Sequence, residues 1–272
     1  MKQEQRSPES LRHHYEVEKD LHYRLLASTR ENRPELFGKL YDELFERVKD
    51  HDRVTRRETP EECRIAVEAR MRLIRPFLKK NMTFMEVAPG DCRLAYEVCE
   101  KVNKVIALDI SDQRGDKENA PANFELVIYD GYQLGLADNS VDIAFSFQFL
   151  EHIHPEDHEF HFETVKRVLK PGGRYIFDTP HVYSGPHDAS RGFTREPEGM
   201  HLKEWTYREM SALVKKTGFS EWHTFRFGKP RMSGFFNFLT LFIEGVFGIL
   251  PYPLRSALSQ RAFVGVAMVV KK

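Results

Sequence analysis

The segment spanning residues 83–111 constrains the fold more than any other part of the sequence, because its pattern is strand, sharp turn, helix and strand. Residues 83–87 form an apolar run that is long enough for a buried strand and too short for a helix. The turn at 88–91 contains Gly90, which can adopt backbone conformations that other residues resist. We expect Asp91 to cap the helix that follows. Such a turn lets a ligand approach the backbone at the N-terminus of the helix.

A second predicted strand, residues 105–108, ends at Asp109. This carboxylate lies roughly 20 residues after the first turn, where it can accept hydrogen bonds from ribose hydroxyls. The pattern therefore predicts a nucleoside-binding site. The turn alone does not identify the nucleoside, because Ala88, Gly90 and Cys92 stand where a dinucleotide-binding turn would carry G-x-G-x-x-G.

Four motifs follow one another along the chain, and their order is more specific than any one of them. The first is the strand–turn–helix unit described above. The others are an Asp-Gly pair closing a third strand, a turn with a fourth strand, and a Lys-Pro-Gly-Gly segment before a fifth strand, at 128–131, 139–152 and 169–177. With these motifs the chain resembles the class I S-adenosylmethionine-dependent methyltransferases, specifically their small-molecule branch. The resemblance extends from Thr83 to about Phe227.

The resemblance implies a doubly wound α/β fold and S-adenosylmethionine as cofactor. The sheet would be mostly parallel and seven-stranded with an antiparallel last strand, covered on both faces by helices and joined to a helical N-terminal cap. Asp109 would accept the ribose hydroxyls, while Asp130 and Gly131 would meet the adenine. An alternative for Asp130 is a turn cap, since Asp-Gly is a common turn dipeptide. The predicted cofactor-binding residues are Glu86, Ala88, Gly90, Asp109, Ile110, Asp130, Gly131, Ser146, Phe147 and Gln148.

The charge balance argues against a nucleic-acid partner. Among 272 residues, 41 Lys and Arg side chains offset 41 Asp and Glu side chains, so there is no basic excess. Cys63, Cys92 and Cys99 lack C-x-x-C spacing, which favours free thiols in a reducing cytosol over disulfides or zinc. The charged N-terminal sequence differs from a signal peptide, and we therefore expect a cytoplasmic protein.

The sequence divides into a helical cap, residues 1–58, and a methyltransferase-like domain, residues 59–272. In the cap, one helix is predicted from Ser10 to about Arg30 and a more regular one after Pro34, followed by a polar linker at 51–58.

The domain itself begins with a further helix. Thr59, Pro60 and Glu62 have the order of a capping box with proline at the first helical position. The helices at the start of the chain would cover the sheet, form a lid over cofactor and acceptor, or do both.

Histidines supply the candidate catalytic groups. A hydroxyl acceptor benefits from a general base, and histidine has a suitable pKa. His152 follows the fourth strand, whereas His181 and His187 follow the fifth, so we take these three as candidates. No metal is expected, because the adjacent Glu151 and His152 should diverge on a helix. The predicted reaction is methyl transfer to a small molecule, at a hydroxyl of a sugar, polyketide or lipid-linked intermediate.

Two insertions interrupt the domain. Residues 181–205 exceed an ordinary strand-to-helix connection and are rich in polar side chains, so we interpret them as an acceptor lid. Residues 229–261 contain the apolar stretch 234–250, which is shorter than the ~20 residues a bilayer span needs. This stretch would be part of the core, a dimer contact, the wall of an acceptor pocket or a helix on a membrane surface.

Two rival functions are consistent with parts of the sequence. One is a catalytically silent S-adenosylmethionine-binding or scaffold protein, which would bind the cofactor without turnover. The other is a nicotinamide oxidoreductase, which is disfavoured by the absence of G-x-G-x-x-G and by the Lys-Pro-Gly-Gly segment.

Overall fold

The protein is built around one eight-stranded sheet. The computed structural model describes residues 6–51, 59–115 and 117–272. Most of the linker predicted at 51–58 therefore lies outside the described residues. The strand order across the sheet is β3-β2-β1-β4-β5-β8-β6-β7. The strands are β1 (Thr83–Val87), β2 (Lys104–Asp109), β3 (Phe124–Ile128), β4 (Val141–Phe147), β5 (Leu169–Pro180), β6 (Glu221–Arg226), β7 (Lys229–Arg231) and β8 (Gly265–Lys271).

The first five strands run parallel, and β8 is antiparallel to both of its neighbours, β5 and β6. This confirms the predicted doubly wound, mostly parallel sheet with an antiparallel last strand. The prediction of seven strands missed β7, a three-residue edge strand that pairs with β6. The connecting turn places Phe227 and Gly228 at positive φ, and Phe227 is 97% exposed. A short charged edge of this kind has no strong hydrophobic pattern to reveal it.

Eight helices of at least seven residues occur in the described part of the chain. They are α1 (Pro8–Leu26), α2 (Arg33–Arg47), α3 (Pro60–Ile74), α4 (Arg93–Cys99), α5 (His158–Val168), α6 (Tyr207–Lys216), α7 (Gly234–Gly248) and α8 (Tyr252–Ala262). The capping box at Thr59 and Glu62 is present. The first helix starts earlier than predicted, because the side chain of Ser7 accepts a hydrogen bond from the Ser10 backbone and Ser10 lies inside the helix.

The sheet is buried on both faces, as a parallel sheet requires. On one face, Phe162 from α5 packs against Tyr175 and Phe177 of β5. On the other, Phe84 stacks on Phe145 beneath α3 and α4. The central strands therefore hold the carboxyl edge of the sheet in a fixed position.

The N-terminal helices pack on the first insertion. Leu21 of α1 and Leu40 of α2 share an apolar cluster with Met200 and Leu202. Several polar contacts reinforce this packing, including a 2.7 Å hydrogen bond between the His22 ring and the Gly199 carbonyl oxygen. Much of the insertion at 181–205 is thus buried beneath the cap and does not project as an exposed loop.

The junction between α1 and α2 is fixed to the sheet edge by a buried arginine. The Arg33 side chain has no exposed surface and forms a short ion pair with Asp157. Asp157 also accepts a 2.6 Å hydrogen bond from the Tyr132 hydroxyl. Burial raises the pKa of Asp157, but hydrogen bonds from Tyr132, Arg30 and Arg33 outweigh it and hold that pKa below its ordinary value.

Helix α7 is amphipathic in the opposite sense to an ordinary surface helix. Its polar side chains point inward: Glu244 is 1% exposed and accepts hydrogen bonds from the Tyr207 and Arg208 backbone N–H groups at the start of α6. Phe238 and Phe242, on the opposite face, are 66% and 58% exposed. Of the four interpretations considered for this stretch, burial in the core does not fit its phenylalanine face. Among the described residues, no helix is both long and apolar enough to cross a membrane.

Candidate active site at the carboxyl edge of the sheet

The turn after β1 adopts left-handed backbone conformations at three positions. Ala88, Gly90 and Cys92 have φ values of 52°, 59° and 60°. The predicted cap is displaced by one residue: Cys92 is the N-cap of α4, and the Asp91 carboxylate accepts from the Arg93 backbone N–H at 3.2 Å. A Cβ atom built at Gly90 would meet no atom within 4 Å, so open space lies over the turn.

Asp109 joins this turn to the end of β2, as the sequence predicts. Its carboxylate is 6% exposed and accepts hydrogen bonds from the Gly90 N–H at 3.2 Å and the Ile110 N–H at 2.7 Å. The Ile110 side chain beside it is 43% exposed. A carboxylate with an adjacent aliphatic surface suits the ribose and base of a nucleoside.

Glu86 is buried at the end of β1 with one oxygen unsatisfied. Its Oε2 has no hydrogen-bond partner among the described residues. Burial raises the pKa of Glu86 to about 8, and the nearby Arg70 opposes this shift. The Arg70 guanidinium, from α3, also lies 5.0 Å from the centre of the Phe147 ring. Arg70 is not predictable from the sequence, because nothing in the helical pattern separates it from the other arginines of α3.

Asp130 and Gly131 lie at the end of β3, near the Asp109 strand end. The Asp130 Oδ1 accepts from the Tyr132 and Gln133 backbone N–H groups at 2.9 and 2.6 Å. The turn-cap interpretation of Asp130 is therefore present in the structure. Asp130 itself is exposed, so its carboxylate is accessible to a ligand.

The three candidates at the end of β4 separate into core and edge. The Ser146 side chain is buried and lies 2.7 Å from the Tyr175 hydroxyl, so its hydroxyl belongs to the core and does not face the edge of the sheet. Side chains alternate along a strand, and Phe147 consequently faces the other side. Gln148 has a φ of 51° and donates a 2.7 Å hydrogen bond to Asp178, whose pKa burial raises to about 6.

A cluster of ionisable side chains follows directly after β4. Glu151, His152 and His201 each offer one atom that can ligate a metal, and these three atoms lie within 4.8 Å of one another. The Leu202 N–H donates a 2.7 Å hydrogen bond to the Glu151 carbonyl oxygen, which attaches the insertion here. The expected divergence of Glu151 and His152 is wrong, because the two residues belong to a 3₁₀ turn, Leu150–His152, and not to an α-helix.

Glu204 holds one histidine of this cluster in place by a hydrogen bond. It accepts from the His201 Nδ1 at 2.9 Å and contacts the His187 Nδ1 at 3.2 Å. Burial would raise the pKa of Glu204, but the bonds from His187 and His201 lower it to about 2. His187 is one of the predicted bases, whereas Glu204 is not predicted, because its partners lie on an irregular loop without periodicity.

His181 is separated from this cluster by its contacts. Its ring is fully buried, with Nε2 2.8 Å from the Glu244 carboxylate and Nδ1 accepting from the Tyr183 N–H at 3.1 Å. The ring also stacks on Phe263. Both nitrogens are therefore engaged, and the observed role of His181 is to attach α7 to the sheet.

The sheet topology and the residues at the ends of β1, β2 and β3, which we call the cofactor edge, define an α/β protein of the class I, nucleoside-binding type. A family model described as a methyltransferase domain matches residues 85–177. This part of the chain is therefore similar to a methyltransferase domain, which agrees with a class I methyltransferase fold and with S-adenosylmethionine as cofactor. A comparison with curated proteins gives no match.

Solved structures support the fold. An S-adenosylmethionine-dependent methyltransferase from Archaeoglobus fulgidus has a TM-score of 0.51 at 18% identity, covering 77% of this chain and 94% of that one. One from Mesorhizobium loti has a TM-score of 0.50 at 19% identity, covering 75% and 98%. Phosphoethanolamine N-methyltransferase 2 from Haemonchus contortus, bound to phosphomonomethylethanolamine and S-adenosylhomocysteine, has a TM-score of 0.51 at 18% identity, covering 75% and 52%.

Proposed function

We propose that this protein transfers the methyl group of S-adenosylmethionine to a hydroxyl of a small, lipid-linked molecule. The observation that carries this proposal is the cluster of Glu151, His152 and His201, which lies after β4 on the same sheet edge as the cofactor residues. Parallel strands bring their carboxyl ends to one edge, where ligands of open α/β sheets bind.

The residues at the cofactor edge fit S-adenosylmethionine. The unsatisfied, buried oxygen of Glu86 is suited to an ammonium donor such as the methionine amino group. Asp109 would accept from the ribose hydroxyls, and Asp130 with Gly131 would meet the adenine. Arg70, which approaches Glu86 and Phe147, would pair with the methionine carboxylate. When bound, the cofactor supplies a methyl group already activated on a sulfonium.

The chain itself must then position the acceptor and exclude water. The cap and the insertion at 181–205 cover the edge beside the cluster, since α1 and α2 pack on Met200 and Leu202. Of the three candidate bases, His152 is the one that lies in the cluster and is partly exposed. We therefore assign the activation of the acceptor hydroxyl to the group that contains His152.

The test is turnover of S-adenosylmethionine to S-adenosylhomocysteine with pools of hydroxylated lipids, sugars and polyketides. His152→Ala should lower the rate about 100-fold while cofactor affinity measured by calorimetry stays nearly constant. His181→Ala is the contrasting variant, expected to loosen α7. Cofactor binding without turnover on any acceptor would instead support the silent-scaffold alternative, and wild-type rates in the His152, His181 and His187 variants would exclude base catalysis.

The lipid-linked part of the proposal rests on α7. Phe235, Phe238, Phe242, Val246 and Ile249 recur at helical spacing, and each is at least 41% exposed. The polar stripe of the same helix is buried: Asn237 donates to the Trp222 carbonyl oxygen at 2.6 Å, and Glu244 caps α6. The helix is thus attached to the protein by its polar face, and its apolar face is presented outward.

The charges around this face fit an anionic bilayer surface. Residues 227–262 contain Lys229, Arg231, Arg255 and Arg261, whereas their one acidic residue, Glu244, is buried. Cationic side chains beside a phenylalanine face are the pattern of helices that lie in the membrane interface. We propose that α7 rests on such a surface and brings the acceptor edge near lipid-linked substrates.

A cleft of about 320 Å³ opens between the insertion and α8, the helix that follows α7 in the chain. Arg191 and Arg195 line it, and the Arg195 guanidinium lies 4.8 Å from the centre of the Tyr252 ring. Both arginines are exposed. An anionic headgroup would find charge-matched donors in this cleft.

Co-sedimentation with vesicles tests the membrane contact. Wild type should bind phosphatidylglycerol-containing vesicles and not vesicles of phosphatidylcholine alone. Phe242→Asp should abolish binding with a nearly unchanged melting temperature, and Leu11→Asp, at a 44% exposed site on α1, should change neither. If wild type does not bind vesicles and Phe242→Asp unfolds, the apolar face of α7 is part of the core and not a membrane contact. A dimer that Phe242→Asp dissociates would identify a second copy as the occupant.

A further inference from the structure

The cluster at the start of the acceptor edge has the composition of a metal site. Glu151, His152 and His201 bring one carboxylate oxygen and two imidazole nitrogens within 4.8 Å of one another. The residues come from two separate segments, the 3₁₀ turn after β4 and the insertion that packs beneath the cap. We propose that these three side chains bind a divalent transition-metal cation.

The orientation of the two imidazoles supports this assignment. The Nδ1 of His152 lies 2.9 Å from the Met200 carbonyl oxygen, and the Nδ1 of His201 lies 2.9 Å from a Glu204 carboxylate oxygen. A carbonyl or carboxylate oxygen only accepts, so each Nδ1 carries the proton. The lone pair of each neutral ring then resides on Nε2. Metal-binding histidines show this arrangement, with the second nitrogen donating to a backbone or carboxylate oxygen.

Glu151 supplies an independent observation. Its side chain has no exposed surface, Oε2 accepts a 2.9 Å hydrogen bond from the Thr179 hydroxyl, and Oε1 has no partner among the described residues. Burial raises the pKa of Glu151 to about 7, against the effect of His201. A buried carboxylate oxygen without a partner is costly, and a bound cation would satisfy it.

A second cluster in the same protein differs, because its carboxylate oxygens already have hydrogen-bond partners. His14, Glu18 and His51 have a similar spacing. There, however, both Glu18 oxygens are already bonded, one to the His14 Nε2 at 2.8 Å and the other to the Met200 N–H at 3.1 Å. The Arg6 guanidinium also lies 2.7 Å from the His14 Nδ1. A cation at this cluster would lie near a positive charge and would find no carboxylate oxygen without a partner. We therefore do not propose a metal site at His14, Glu18 and His51.

The ligand set indicates which ions fit the cluster at Glu151. Two imidazoles and one carboxylate suit Zn²⁺, Mn²⁺ or Fe²⁺, whereas Mg²⁺ and Ca²⁺ prefer oxygen ligands. Three protein ligands leave further coordination positions open, as in catalytic sites. Metal binding as such is independent of the proposed methyl transfer. The use of the open position by an acceptor oxygen does rest on that function.

Calorimetric titration of the full-length protein with ZnCl₂ and with MnCl₂ tests the site without any acceptor. Wild type should bind one ion per chain. Glu151→Gln should weaken binding at least tenfold, and the control variant Glu221→Gln, at an exposed carboxylate near the His223 ring, should leave it unchanged. Should Glu151→Gln fail to bind S-adenosylmethionine as wild type does, His152→Ala at its partly exposed position provides the same test in a folded protein.

Two results would overturn the proposal. One is that wild type binds neither ion, and the other is that wild type, Glu151→Gln and His152→Ala bind the ion with equal affinity. A chelator separates metal binding from the methylation assay. EDTA should suppress turnover and leave S-adenosylmethionine affinity unchanged if the ion is used in the reaction. Metal binding with chelator-insensitive turnover would retain the site and assign acceptor activation to His152 as a base.

Discussion

The carboxyl edge of the sheet consists of two halves that are built in different ways. The cofactor half, at the ends of β1, β2 and β3, is assembled from short strand–turn segments: Asp109 bonds to Gly90, 19 residues before it. The acceptor half is assembled over long distances, for example through Glu18 and Met200, 182 residues apart. The cofactor half should therefore tolerate damage to the cap, whereas the acceptor half should not.

The largest expected effect is on the acceptor half. Asp157→Asn removes the buried charge partner of the fully buried Arg33, which keeps only the exposed Glu156 at 3.2 Å, and should lower the free energy of unfolding by about 3–5 kcal/mol. Asp20→Asn, which removes a partner of Arg24 and Arg47 in exposed ion pairs, should cost less than about 1 kcal/mol. Urea denaturation measures both. Equal, small losses would show that the cap is not held by this ion pair.

The next effect concerns the cofactor half and depends on pH. Folded Glu86 keeps its proton up to about pH 8, whereas the unfolded side chain releases it near 4.5. The stabilisation is complete below the lower value and is lost as pH rises through the higher one. In the absence of cofactor, Glu86→Gln should exceed wild type in stability at pH 8 by on the order of 4 kcal/mol and match it near pH 4.5. A constant difference across this range would contradict the assignment.

A smaller effect is expected on cofactor affinity. Asp109→Asn should weaken S-adenosylmethionine binding roughly tenfold or more, because hydrogen bonds to a charged group contribute ~1.5–3 kcal/mol. Asp112→Asn, at a surface carboxylate paired with Arg114, is the matched control and should bind as wild type does. Calorimetry gives both affinities. An unchanged affinity in folded Asp109→Asn would remove this residue from the site.

The smallest effect is expected at Ala88. Its φ of 52° is unfavourable for a residue with a side chain, so Ala88→Gly should relieve strain. Glycine also gains freedom in the unfolded chain, and the net stabilisation should be within about 1 kcal/mol. Thermal unfolding measures it. A loss of stability would show that the methyl group packs favourably, and the strain argument would fail.

The same contrast explains what the sequence revealed. The order of strands, the turn with Gly90 and the position of Asp109 depend on local patterns, and each is present in the structure. Strand alternation would have placed Ser146 in the core, but the end of β4 could not be located precisely enough to apply it. Residues such as Arg70 and Glu204 become neighbours of the site only through tertiary packing, which a single sequence does not encode as a periodic pattern.

Helix α7 also shows the limits of composition. Its polar stripe was visible in the sequence, but the composition did not decide between burial in the core and an exposed apolar face. The structure turns the stripe inward, because Glu244 can satisfy the first N–H groups of α6 and the ring of His181 at once. A carboxylate at a helix N-terminus is favourable, and this local demand decides which face is buried.

The attachment of the cap has a consequence for how the chain is made. Helix α1 is synthesised first, yet the polar groups that hold it, such as the Gly199 carbonyl and the Met200 N–H, are 177 and 182 residues further along. While the ribosome is completing the sheet, the apolar faces that carry Leu21 and Leu40 remain without their partners Met200 and Leu202. Contacts of such sequence separation form late and slow folding. The nascent chain should therefore form its cofactor edge before its acceptor edge. Chaperones should bind the N-terminal helices, whose apolar faces stay exposed until the insertion is made.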